Sequence, residues 1–204
     1  ITSLAVDPQG RFLAIARPNV VEIVTATDHK PVTQLVGHTG AIADVRFSQA
    51  SDKLVVAAGE VGLNGEATVW NTADWSRGLV INGHRDTLYA AAISPDGTIV
   101  ATASYDRDIR TWDAKTGGAL KTLAGHNDAV YALSFHPHGK ILASASGDRT
   151  IKLWDVAQGH RLDTFSQPSK EQYHVQFSPS GKQLTAGGVD MRVRIWQISE
   201  TAAE

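Results

Sequence analysis

GHRDTLYAAAISPDGTIVATASYDRDIRTWD, residues 83–113, is followed eleven residues later by GHNDAVYALSFHPHGKILASASGDRTIKLWD, residues 125–155. The two stretches align without a gap, and over 84–125 against 126–167, 18 of 42 positions are identical. Chance composition does not give that, so the chain is read as a repeat before anything else. The period extends in both directions. Trp70, Trp112, Trp154 and Trp196 are each 42 apart, as are Pro95, Pro137 and Pro179, and Asp106, Asp148 and Asp190. Gly37-His38 stands 46 upstream of Gly83-His84. One of the four extra residues falls in Ser48-Gln49-Ala50-Ser51-Asp52, and three fall between Gly59 and Gly65. Both are turns that can lengthen without disturbing strand pairing.

Within a unit the pattern is strand, turn, strand, with no helical period anywhere. Val130 to Phe135 alternates into the turn His136-Pro137-His138-Gly139, and Ile141 to Ser146 is a strand of small residues ending at Gly147-Asp148-Arg149. Thr150 to Trp154 is a β-branched third strand and Arg161 to Phe165 a fourth. Four short strands in about 42 residues is the size of one propeller blade. Ala101, Ala103, Ala143 and Ala145 are small enough for blades packed closely on both faces.

Gly125-His126, then Asp148, then Trp154-Asp155 resembles the WD40 repeat family, and the resemblance runs unevenly over the whole chain. It implies an all-β propeller of five four-stranded blades, at about 1–36, 37–82, 83–124, 125–166 and 167–198, the last without its fourth strand and 199–204 a tail. It also implies a hydrogen-bonded network in each blade. The matching residues are His84, Thr102, Asp106 and Trp112, then His126, Ser144, Asp148 and Trp154. A buried indole N–H needs an acceptor, and a carboxylate fixes the imidazole tautomer. Other units depart from the pattern. Asn64 stands where His38 and Trp70 would find their Asp; Pro168 and Ala186 replace the His and Ser near Trp196; Val24 replaces the first Trp. Those blades are expected to be looser. The missing last strand and the apolar start at Ile1 suggest five blades of a larger ring, which at seven blades needs about 294 residues.

Composition narrows the function. Lys+Arg and Asp+Glu number 19 and 21, for a net charge of −2, so the basic patch of a duplex binder is not expected. Cysteine is absent, which removes disulfides, thiolate metal sites and thiol nucleophiles but leaves cytoplasm and periplasm equally open. No apolar run is long enough to span a membrane as a helix. No nucleotide, haem or hydrolase motif occurs, so neither catalysis nor a cofactor is expected. Gly59 to Gly65 lies between strands and reads as a longer hairpin loop, since a phosphate cradle needs a helix N-terminus. His136 and His138 form a His-x-His pair, but sister units have Ser94-Pro95-Asp96-Gly97 and Ser178-Pro179-Ser180-Gly181 there, which favours a solvated turn over a metal site. Repetition argues the same way for His38, His84 and His126: an active site occurs once, not once per blade.

The residues expected to meet a partner are Tyr89, Tyr131 and Tyr173, five positions beyond each His or its replacement. By resemblance they lie near the central opening, on the face that commonly docks partners. Tyr105 is in a loop of that face, with Asp86, Asp128, Arg107 and Arg149 as its polar rim. Tyrosine offers large contact area with a polar tip. Trp75, off the repeat register, falls in a loop of the opposite face, where it is expected to cover a blade edge, with an interaction role as the alternative. The expected function is a non-catalytic scaffold that binds a protein or peptide, completed by further blades or by oligomerisation. The alternative is a propeller accessory to a kinase, NTPase or cytochrome, as in bacterial multidomain proteins that the near-identical repeats resemble; non-periodic acid–base residues in a pocket would favour it.

Overall fold

The computed structural model describes residues 1–198; the expected tail at 199–204 lies outside them. The described chain is all β, in five antiparallel sheets. The first sheet holds β1 (Ser3–Val6), β2 (Phe12–Arg17), β3 (Val20–Thr25) and β4 (Pro31–Leu35). The second holds β5 (Ala41–Phe47), β6 (Lys53–Glu60), β7 (Asn64–Asn71) and β8 (Arg77–His84). The third holds β9 (Leu88–Ile93), β10 (Ile99–Ser104), β11 (Ile109–Asp113) and β12 (Ala119–Leu123). The fourth holds β13 (Val130–Phe135), β14 (Ile141–Ser146), β15 (Ile151–Asp155) and β16 (Arg161–Phe165). In the fifth, β17 (Gln172–Phe177), β18 (Gln183–Gly188) and β19 (Val193–Gln197) make three strands among the described residues.

Each sheet is a meander in which sequential strands pair, so every blade is built from local contacts. The blades then pack face to face. Ala143, Ala145, Ile151 and Leu153 of the fourth meet Val175, Phe177, Leu184 and Ala186 of the fifth in one apolar cluster. Alanines in the second strand let these faces approach, and Ile151 and Leu153 of the third fill the gap. Trp154 is 1% exposed and Trp112 4%. Trp75 meets Phe12 of the first blade edge-on, ring centroids 5.2 Å apart, so it closes a seam between blades.

Two turns differ from their sequence reading. The three extra residues of the second blade lengthen its strands rather than its loop. Gly59 pairs with Gly65 and Glu60 with Asn64, leaving only Val61, Gly62 and Leu63 at the tip. His136 is buried rather than solvated. Its Nε2–H donates to the Gly181 carbonyl of the next blade at 3.2 Å, while its Nδ1 accepts the His138 N–H at 3.3 Å. Gly181 is left-handed, and a Cβ there would collide with the His136 ring, so the seam requires glycine. Both ring nitrogens of His136 are thus spent on backbone, and the described residues contain no cluster of three metal-ligating side chains.

The arc has two bare flanks. Leu4 occupies the position of Val45, Leu133 and Val175, which are at most 1% exposed, yet Leu4 is 57% exposed. On the other flank Val193 and Ile195 are 78% and 60% exposed, where Ile151 and Leu153 of the fourth blade are sealed by the fifth.

Candidate functional site

The site is built from the blade networks upward. In the third blade Trp112 Nε1–H donates to Thr102 Oγ1 at 2.8 Å, Thr102 lies 2.8 Å from His84 Nε2, and His84 Nδ1 lies 2.9 Å from Asp106. The fourth blade repeats this, with Trp154, Ser144, His126 and Asp148 joined at 2.8, 2.7 and 2.8 Å. A hydroxyl that accepts from indole gives its own proton to Nε2, which leaves the imidazole proton on Nδ1 facing the carboxylate. Both aspartates also accept backbone N–H groups, of Arg85 and Asp108 or of Asn127 and Thr150. Each network therefore ties the segment that leads into a blade's first strand, with His84 at the end of β8 and His126 in the loop after β12, to the loop between that blade's second and third strands.

The charge states follow from this packing. Burial pushes Asp106 up, but the His84 hydrogen bond and the Arg85 and Asp108 amides outweigh it, and the carboxyl is lowered to about 2. Asp148 is lowered further, again against burial, by His126 and Thr150. Burial dominates at His126 and lowers its pKa despite Asp148 beside it.

The second and fifth blades carry partial versions. Val56 fills the place of Thr102, and His38 and Trp70 Nε1 find no partner among the described residues although their rings are 5.7 Å apart. Glu66, not Asn64, braces the loop there. It accepts the Thr39 hydroxyl at 2.8 Å and Arg77 at 3.1 Å. In the fifth blade Asp190 stands 2.7 Å from Arg194 and accepts the Arg192 N–H instead of meeting a histidine.

On the face these loops form, four tyrosines make a continuous ladder. Ring centroids run Tyr105–Tyr89 at 6.2 Å, Tyr89–Tyr131 at 5.0 Å and Tyr131–Tyr173 at 4.9 Å. Their backbone setting is common: Tyr89, Tyr131 and Tyr173 each sit at the break in register between a blade's first and second strands. A bulge leaves its residue unpaired and re-aims the side chain, and here it sends the rings to the central opening rather than to a blade face. Ala43 holds the same place in the second blade. Tyr173 and Tyr105 are about half exposed. Burial, then neighbouring tyrosines and carboxylates, raises Tyr89 and Tyr131, so both hydroxyls stay protonated.

The rim is unequal. Arg107 and Arg149 are exposed, each in a left-handed backbone. Asp86 Oδ1 is spent on the Gly62 N–H at 2.8 Å and on Thr87, which clamps the second-blade hairpin beside Tyr89. Asp128 is exposed and accepts the Ala129 N–H.

The opening beneath the tyrosines, roughly 500 Å³, also holds groups that the sequence reading missed. Asp44 Oδ1 accepts the Ser3 hydroxyl at 2.9 Å and Asp44 Oδ2 accepts Arg46 Nε–H at 3.2 Å. His174 shares this wall, and desolvation, then Arg46, lowers its pKa. The available signal was a broken period: Asp44 and His174 occupy the position that is Ala90 and Ala132 in the two regular blades.

Five meandering sheets, packed face to face around an opening and pinned by a repeated Trp–Ser/Thr–His–Asp relay, define a β-propeller repeat protein. The model of the WD domain, G-beta repeat, matches residues 29–71, 75–113, 117–155 and 159–197, and the chain belongs to the WD40 family. Repeats of this family are typically protein-interaction scaffolds. The chain is 31% identical over 126 residues to an uncharacterized WD repeat-containing protein of Synechocystis, covering 61% of this chain and 35% of that protein. It is 32% identical over 92 residues to nuclear distribution protein nudF 1 of Talaromyces marneffei, covering 45% and 20%. With subunit I of eukaryotic translation initiation factor 3 from Neurospora crassa it shares 34% identity over 88 residues, covering 43% and 24%. The matched region thus spans about a third or less of each relative.

Proposed function

We propose that this chain is a non-catalytic docking platform whose partner, a protein or an extended peptide segment, seats on the tyrosine face. The observation that carries the reading is the ladder itself. Three neighbouring blades each spend a bulge to present one tyrosine at the opening, and a blade needs no such ring for its own packing. Tyr89, Tyr131, Tyr173 and Tyr105 supply the contact area, while Arg107, Arg149 and Asp128 supply the polar rim. Asp86 acts one step back, by holding the hairpin. Relays in the third and fourth blades keep the loops rigid, so little ordering entropy is lost on binding. Panning a random peptide library against the folded chain tests this. Selected peptides are expected to weaken roughly tenfold or more on Tyr131→Ala, with unchanged melting; peptides that bind the variant equally well refute it.

The same reading has the five sheets as part of a larger ring, seven-bladed by the family pattern. The bare flanks support it, because further blades would cover Leu4, Val193 and Ile195 as neighbours cover their equivalents. One observation favours a second reading, a propeller accessory to an enzyme domain: the acid–base groups Asp44 and His174 stand outside the repeat period, beside Ser3 and Arg46.

A further inference from the structure

Resting on the docking reading, we propose that the tyrosine-side opening ends in an oxyanion subsite, formed by Arg46 and His174, that takes a carboxylate of the docked segment. The carboxylate is an Asp or Glu side chain or a free C-terminus.

The first support is shape. The positions of Asp44 and His174 are alanine in the third and fourth blades, so the wall below the tyrosines is cut back opposite the polar groups. The resulting volume, roughly 500 Å³, is within the range of small-ligand sites. Arg46 and Phe47 also line a second opening on the opposite face, which puts Arg46 at the waist of the channel.

The second support is the balance of donors and acceptors. Asp44 is the one carboxylate among the lining residues, and both its oxygens are taken, by Ser3 and by Arg46. Arg46 uses only Nε among the described residues, which leaves its Nη edge open. The His174 ring makes no hydrogen bond to a described residue and is exposed. A cation entering here would find its acceptor already engaged; an anion finds a guanidinium held in place with a free fork. Ser3 orients Asp44, Asp44 orients Arg46, and such a fork suits bidentate oxyanions.

Peptides from the library above, synthesised with fluorescein, provide the probe for anisotropy titrations. Binders are expected to carry an acidic residue or free C-terminus at a fixed place. Replacing it by Asn, Gln or an amide should cost roughly tenfold. Arg46→Gln and His174→Gln should each weaken the acidic peptide and leave the neutralised one unchanged. His174→Gln alters an exposed side chain, so it keeps the test valid should Arg46→Gln melt early. Displacement of the peptide by succinate, lost in Arg46→Gln, would support the subsite with a free small carboxylate as occupant. Basic or neutral binders would overturn the proposal. So would Arg46→Gln and His174→Gln variants of full affinity beside a dead Tyr131→Ala, an outcome that leaves tyrosine docking intact. Failure to select any Tyr131-dependent peptide would count against docking and the subsite together.

Discussion

Tyr131 and Tyr173 stand edge to face, ring centroids 4.9 Å apart and planes at 79°, on the innermost strands of adjacent blades. Each occupies the unpaired position of a bulge, so a local defect in pairing is what creates a shared surface across blades. The relay from Trp154 through Ser144 and His126 to Asp148 fixes the neighbouring loops and hence this geometry.

Asp148→Ala should destabilise the chain by about 1–3 kcal/mol, because His126 Nδ1 and the amides of Asn127 and Thr150 lose their acceptor. Asp190→Ala should cost less, since its blade has neither the histidine nor the serine. Urea melts of the two variants check the order, and equal losses would contradict it.

Val56→Thr should stabilise the second blade by about 1 kcal/mol. Its hydroxyl would stand where Thr102 stands in the third blade, within reach of His38 and Trp70 Nε1, which now have no partner among the described residues. A lower melting temperature than wild type would show that the hydroxyl does not reach them.

Stability should fall with acid in two stages. The lowered pKa of His126, and of His38, means the unfolded chain takes up a proton below about 6.5 that the folded chain refuses. This part is full above that pH and declines below it. Asp106, lowered from 3.8 to about 2, and Asp148 contribute stability that is present above about pH 4 and disappears as the pH falls toward 2. Replacing His126 by Gln should flatten the first stage in a melt series from pH 8 to 5; an unchanged slope would be the contrary result.

The isolated chain should self-associate through its bare flanks, since apolar faces and open edges pair readily. Leu4→Glu with Ile195→Lys should shift sedimentation toward monomer. A wild-type chain that is already monomeric at all concentrations would argue that the flanks are tolerated in water.

Much of the fold was legible because the 42-residue period carries it. Trp112, Trp154, Asp106 and Asp148 recur in register, and the relays connect them in space. What periodicity hides is any residue that departs from it. Asp44 and Arg46 stand two apart on β5, whereas His174 comes from β17 of the fifth blade and faces them only across the opening, so nothing in the local sequence of either strand points to the other. Glu66 went unread for a different reason. It stands two residues past Asn64, and only the lengthened strand pairing turns it toward Thr39. His136 looked like a solvated turn because its cover, Gly181 and Phe177, lies a full repeat away.

The most direct test of docking on the tyrosine face is amide hydrogen exchange with and without a selected peptide. Protection confined to residues 85–90, 104–107, 127–131 and 171–174 is the expected result. Protection centred instead on the opposite turns, 94–97, 136–139 and 178–181, would place the partner on the other face and contradict it.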